Sequence, residues 1–169
     1  MMHKNEMMKY FEIINERLKQ KELTGEICLF GGAVMCLVFE SRTSTKDIDA
    51  LFAPTTEIYQ IIKNIADEYH LPVDWLNPAV KGFVSSNHDI RLFKKLSNLD
   101  IFAASLHYMF AMKCLAARAD SKDFEDITFL INRLNIKTMD EALRILEKYY
   151  PQKQILPRTQ YVLEELLRM

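Results

Sequence analysis

Two features of the chain could do chemistry. The first is the pair Asp47 and Asp49, separated by one apolar residue, in Asp47-Ile48-Asp49-Ala50-Leu51-Phe52. On a strand, residues i and i+2 point to the same face about 6.5 to 7 Å apart, so both carboxylates would project together. Two anions sharing a site repel unless a cation compensates. Mg²⁺ does this: it takes a few carboxylate oxygens, keeps several waters and completes its octahedron with phosphate oxygens. The second feature is Gly31-Gly32, between the apolar run Glu26-Ile27-Cys28-Leu29-Phe30 and a helical pattern. Glycines admit a phosphate close to the backbone, and a helix N-terminus offers unpaired N–H donors. Taken singly, a glycine pair is often only a turn and Asp-x-Asp only a solvated strand edge. Strand, glycine pair, helix, polar loop and acidic strand in that order form a more specific arrangement, suited to a phosphate ligand beside a metal ion.

The elements that must position these residues can be read from periodicity. Apolar residues at Met7, Met8, Phe11, Ile14 and Leu18 give a helical stripe over 5–21. Residues 26–30 read as a strand, 33–40 as a helix, 41–46 as a polar loop and 47–52 as a half-buried strand. A helix follows Pro54, with Ile58, Ile61, Ile62, Ile65 and Tyr69 on one stripe. Residues 73–76, 90–93 and 99–103 read as further strands, with a turn at Ser97-Asn98, and 77–87 as a connection. After Ser105 the pattern is helical: 106–119, 122–134, 139–149 and 157–168, the third opened by Thr138 with Glu141 in capping-box spacing. The expected fold is α+β: a mixed sheet of four to five strands flanked by helices over 1–104, and a helical half over 105–169. The two halves are expected to form one integrated domain with a cleft between them.

Composition narrows the functional classes. The 169 residues carry 22 Lys and Arg against 23 Asp and Glu, and 49% are apolar. A chain of this size buries roughly 70% of its unfolded surface and needs neither disulfides nor metal to fold. A near-zero net charge argues against a protein that coats nucleic acid through global charge. Cys28, Cys36 and Cys114 have no CxxC spacing and sit in apolar runs, as buried thiols in a reducing cytoplasm would. His3, His70, His88 and His107 are too scattered for a zinc motif. No apolar run is long enough for a membrane span or a signal peptide, so a cytoplasmic protein is expected.

The helical half has a second polar set. Lys113 lies among Met109, Met112, Leu115 and Ala116, an apolar setting from which a lysine can snorkel to solvent. Arg118 follows on the same helix. Asp123 and Asp126 are three apart and share a helix face, where they would also favour a helix N-terminus.

The stretch LFGGAVMCLVFESRTSTKDIDALF resembles the signature of the DNA polymerase beta-type nucleotidyltransferase superfamily: a hydrophobic residue, Gly-Gly or Gly-Ser, a spacer, then Asp-hydrophobic-Asp-hydrophobic. More narrowly, the chain is similar to minimal bacterial nucleotidyltransferases related to AbiEii-type toxins. There an Arg-x-Thr-x-Asp-Ile-Asp strand precedes a helix of the form Leu-Leu-Ala-Met-Lys-x-x-Ala and then Asp-x-x-Asp-Ile. The second block stands here as YMFAMKCLAAR from Tyr108 to Arg118, followed by Asp123-Phe124-Glu125-Asp126-Ile127. The loop carries one residue more than the family pattern, which puts Arg42 five residues before Asp47.

The resemblance implies transfer of a nucleoside monophosphate from a nucleoside triphosphate to an acceptor hydroxyl. Asp47 and Asp49 would hold two Mg²⁺ ions, with Asp74 as the third metal carboxylate and Asp89 as its fallback. Gly31, Gly32, Arg42, Thr45, Lys46, Lys113 and Arg118 would contact the nucleotide, and Lys113 and Asp126, with Asp123 beside it, would serve catalysis. A tRNA, a protein or a small molecule would be the acceptor, and a toxin of this kind would have an antitoxin partner. The contrasting expectation is a catalytically silent nucleotide- or partner-binding module that kept the fold.

Overall fold

The structure, a computed structural model, describes residues 1–117, 121–151 and 154–168. The chain divides into two compact units, one of Met1–Gly82 with Ile90–Ala104 and one of Phe83–Asp89 with Ser105–Met169.

The first unit is built on a five-stranded mixed sheet. After β1 (Met2–His3) and α1 (Lys4–Gln20) come β2 (Gly25–Phe30), α2 (Gly31–Leu37), β3 (Ser44–Thr45), β4 (Ile48–Ala53), α3 (Thr55–Tyr69) and β5 (Leu76–Asn77). A 3₁₀ turn over Ala79–Phe83 leads on, and β6 (Ile90–Lys95) and β7 (Leu99–Ala104) complete the unit. The order across the sheet is β5-β4-β2-β7-β6. Strand β2 pairs antiparallel with β4 and parallel with β7, so the sheet is mixed. Alternation along the strands separates two faces. Gly25, Ile27 and Leu29 of β2, Ile48 and Ala50 of β4, and Leu99 and Ile101 of β7 are buried.

Helices α1 and α3 lie on the buried face. The apolar stripe expected for α1 is in place, with Met7, Phe11, Ile14 and Leu18 inaccessible to solvent. The absent side chain of Gly25 marks where the helices converge on the sheet: a Cβ there would lie 2.9 Å from Ile58 Cδ1 and 3.0 Å from Leu18 Cδ1. Trp75 donates its Nε1–H to Ile62 O at 3.1 Å and meets the Tyr10 ring edge to face. The opposite face carries Cys28, Asp49, Leu51 and Phe102, all half-buried.

The second unit consists of α4 (Leu106–Ala116), α5 (Ser121–Leu134), α6 (Met139–Tyr149) and α7 (Pro157–Arg168). Helix α4 is buried nearly all round, through Tyr108 to Met112 and Cys114, as a central helix must be. Ser105 caps it by accepting from Tyr108 N–H, and Thr138 caps α6 by accepting from Glu141 N–H at 3.2 Å. Residues Phe83–Asp89 join these helices through hydrogen bonds. Ser85 N–H donates to Tyr108 Oη at 2.7 Å, Ser85 Oγ donates to Tyr149 O, and Tyr150 Oη donates to Phe83 O at 2.5 Å. Asp89 Oδ2 accepts from Ser105 Oγ at 2.6 Å and from Tyr149 Oη at 2.5 Å.

Three expectations change. The strand expected over 73–76 lies at Leu76–Asn77, because residues 73 and 74 form a turn ahead of it. The helix after β2 begins at Gly31 rather than residue 33 and ends at Leu37. Strands β1 and β3, two residues each, form a separate antiparallel ribbon that periodicity does not reveal. Cys36 and Cys114 are buried, whereas Cys28 is half-buried on the open face. Burial pushes the Cys28 thiol up to about 12 and raises Cys36 and Cys114 too, so all three are thiols at neutral pH. Among the described residues no helix is long and apolar enough to cross a membrane.

A side chain of α1 helps to hold the β6-β7 turn. Asn15, 7% exposed, accepts from Asn98 N–H at 2.7 Å and donates to Ser97 Oγ at 3.2 Å. Asn15→Leu strips Asn98 N–H of this acceptor and is expected to destabilise the protein by about 1–3 kcal/mol. Glu16→Ala, on the exposed side of the same helix, is expected to stay within about 0.5 kcal/mol of wild type. Urea unfolding followed by circular dichroism compares the two.

Candidate functional site

The glycine pair sits where β2 turns into α2. Phe30 is the extended N-cap residue of α2, and Gly31 follows with φ of +61°, in the left-handed region that glycine enters without steric cost. Strand register then brings the acidic strand to this turn, since Phe30 pairs with Asp49 in the antiparallel β2-β4 ladder. A Cβ on Gly31 would lie 2.7 Å from Asp49 Oδ2, so the carboxylate occupies the space that a side chain at Gly31 would fill.

The second glycine is filled from another direction. A Cβ on Gly32 would lie 2.5 Å from Thr45 Oγ1 and 3.1 Å from Arg42 Nη1. Thr45 is 4% exposed, and its hydroxyl donates to Asp47 O at 3.1 Å. The two glycines therefore admit three groups of the chain itself: a carboxylate, a hydroxyl and a guanidinium. Helix α2 has only seven residues, and the cation that the fold places at the turn is Arg42.

Asp47 lies one residue ahead of β4, half-buried like Asp49, while Ile48 and Ala50 are buried. Alternation puts Asp49 on the half-exposed side of the strand, whereas Asp47 precedes the strand in a bend, so the i, i+2 rule does not reach it. Lys46 is exposed beside them. The donor set of two carboxylates suits a hard divalent ion such as Mg²⁺. The neighbouring strand does not supply a third carboxylate at this register. Asn77 of β5 stands opposite Asp49, its amide donating to Asp74 O at 2.8 Å and accepting from Ala79 N–H at 3.1 Å. Asp74 is exposed in the turn before β5, and Asp89 belongs to the second unit, where Ser105 and Tyr149 hold it. Among the described residues no three His, Cys, Asp or Glu side chains cluster as a metal site.

The second unit gathers the residues of the other sequence block. Lys113 Nζ of α4 lies 2.8 Å from Asp126 Oδ2 and 3.4 Å from Asp123 Oδ1, both on α5. The three side chains are 14%, 6% and 19% exposed, so the lysine does not snorkel to solvent. A charge this deep is costly unless paired, and the two aspartates supply the pairing. Arg118 lies outside the described residues. Sequence reasoning missed Asn77, although the Asn77-Pro78-Ala79 run carries an Asx-turn signal, and it missed the β1-β3 ribbon.

Gly31→Ala forces a left-handed alanine, at about 1–2 kcal/mol, and drives its methyl group into the Asp49 carboxylate. Gly82→Ala, which meets nothing within 4 Å, serves as control and is expected to stay within about 0.5 kcal/mol of wild type. Urea midpoints of the two variants measure the difference.

Comparison with known proteins gives one family. A family model described as "Nucleotidyltransferase of unknown function (DUF6036)" matches residues 5–161. The match takes in both the Gly31-to-Asp49 stretch and the Lys113-to-Asp126 block. No curated protein and no solved structure matches significantly. The glycine turn, the acidic strand and the paired Lys113 thus stand in a chain that belongs to this family of nucleotidyltransferases.

Proposed function

We propose that the protein transfers a nucleoside monophosphate from a nucleoside triphosphate to an acceptor hydroxyl in an Mg²⁺-dependent reaction. The observation that carries the reading is that Asp49 Oδ2 lies where a Cβ on Gly31 would be, and Arg42 and Thr45 where one on Gly32 would be. A carboxylate and a guanidinium converge there on one glycine turn, which suits a triphosphate whose charge is shared between metal and arginine. In the reaction the acceptor oxygen forms a bond to the α-phosphorus, the bond from that phosphorus to the bridging oxygen breaks, and pyrophosphate leaves. Bound at Asp47 and Asp49, Mg²⁺ would lower the acceptor pKa and neutralise charge on the leaving oxygen. Arg42, with Lys46 exposed nearby, orients the outer phosphates; Thr45 holds the backbone of Asp47.

To Lys113 and Asp126 we assign a part in turnover on the strength of their sequence block, and Arg118 joins the nucleotide contacts on the same ground. We extend the reading to a toxin-like enzyme of the AbiEii type, with a tRNA or a protein as acceptor and an antitoxin as partner. A second reading, a nucleotide-binding module without transfer, is favoured by Asp74, the expected third carboxylate, lying exposed in the turn ahead of β5 while Asn77 stands opposite Asp49.

Incubation with Mg²⁺, each α-labelled triphosphate in turn and total tRNA or cell extract separates the two readings. Transfer of label is expected, lost on chelation with EDTA and reduced at least about 100-fold in Asp47→Asn and Asp49→Asn, the scale of losing one preorganised electrostatic contact. Triphosphate binding without transfer to any acceptor would overturn the enzymatic reading in favour of the module.

A further inference from the structure

The loop that brings Arg42 and Thr45 to the glycine turn is tied down from outside the main sheet. Strand β1 pairs with β3, Met2 opposite Thr45 and His3 opposite Ser44. His3 Nδ1 lies 3.1 Å from Thr43 O. Lys4 Nζ is 2.5 Å from Glu40 Oε1, where the loop begins. Residues 2–4 thus touch the loop at Glu40, Thr43, Ser44 and Thr45 in succession. Met2 is only 5% exposed, although it belongs to a two-residue strand that would be marginal by itself.

What this ribbon holds is the part of the loop that matters. Thr45 carries the hydroxyl that donates to Asp47 O and that packs where a Gly32 side chain would be. Its backbone is the partner of Met2. A shift of Thr45 therefore moves the support of Asp47, and Arg42 sits three residues away on the same loop.

We propose that Met2 and His3 are positioning residues: they strap the 40–45 loop so that Thr45, and through it Arg42 and Asp47, are preorganised at the Gly31-Gly32 turn. Holding groups in place before the ligand arrives is what such a strap contributes. The functional half of the inference rests on the nucleotidyltransferase reading above; the structural half does not.

Two measurements on the full chain keep the halves apart. In hydrogen–deuterium exchange, Met2→Asp puts a charge into the buried strap position and is expected to speed exchange at Ser44, Thr45 and Asp47 while β2 and β7 keep their protection. Met2→Leu is expected to restore wild-type exchange. His3→Ala, an exposed change that leaves the core untouched, covers the case in which Met2→Asp fails to fold and is expected to speed exchange at Thr43 and Ser44. Unchanged exchange in that loop in His3→Ala and in folded Met2→Asp would overturn the strap. In calorimetric titration with Mg²⁺ and ATP, or whichever triphosphate binds wild type best, Met2→Asp is expected to weaken binding about tenfold, and Met2→Leu to match wild type. A loosened loop with unchanged affinity would overturn the positioning role while leaving the nucleotidyltransferase reading intact. A wild-type chain that binds no triphosphate would instead sink that reading and the functional half with it, and exchange would still decide whether the strap exists.

Discussion

The placement of the Asp49 carboxylate in the space that a side chain on Gly31 would fill constrains the whole first unit. It requires a left-handed residue immediately after β2, because only there does the chain turn sharply enough to start α2 beside the acidic strand. It requires the β2-β4 register that sets Phe30 opposite Asp49, since a one-residue slip would carry every side chain of β4 to the other face. The burial of Ile48 and Ala50 on the face that α3 covers enforces that register, so packing on one face fixes the Asp49 carboxylate on the other.

Around this turn the fold meets its polar groups with partners of its own. Thr45 and Arg42 fill the second glycine, and the β1-β3 ribbon secures the loop that carries them. In the second unit the same logic applies to Lys113, which would be expensive to bury alone and is set between Asp123 and Asp126. Asp89 is satisfied in a different way, by the hydroxyls of Ser105 and Tyr149, and so serves to fasten residues 83–89 to the helices.

Much of this was legible in residue order. The stripe of α1 and the alternation of β4 encode burial on a known period, the near-continuous apolar run of α4 encodes burial all round, and burial is what the structure realises. The apolar-acidic alternation was enough to place Asp49 on the half-buried side of β4, with Asp47 in the bend just ahead of it. Short elements were not legible. Met2–His3 and Ser44–Thr45 are too brief for any period, and the paired residues lie more than forty positions apart in the chain. Val73 and Trp75 look strand-forming, yet the turn through Asp74 pushes β5 onward and leaves Asn77 beside Asp49. A glycine pair announces close approach but not by what; here the chain's own carboxylate, hydroxyl and guanidinium arrive first.

If the protein transfers nucleotides as proposed, the Gly31 turn, Asp47 and the Asp49 strand together form the seat of a metal-bound triphosphate. The most direct measurement is a crystal structure with Mn²⁺ in place of Mg²⁺ and a non-hydrolysable triphosphate, with data collected at the manganese edge. An anomalous peak within coordinating distance of Asp47 and Asp49, with phosphates over Gly31-Gly32 and reached by Arg42, is the result expected. Nucleotide bound elsewhere, or no manganese between the two aspartates, would contradict it.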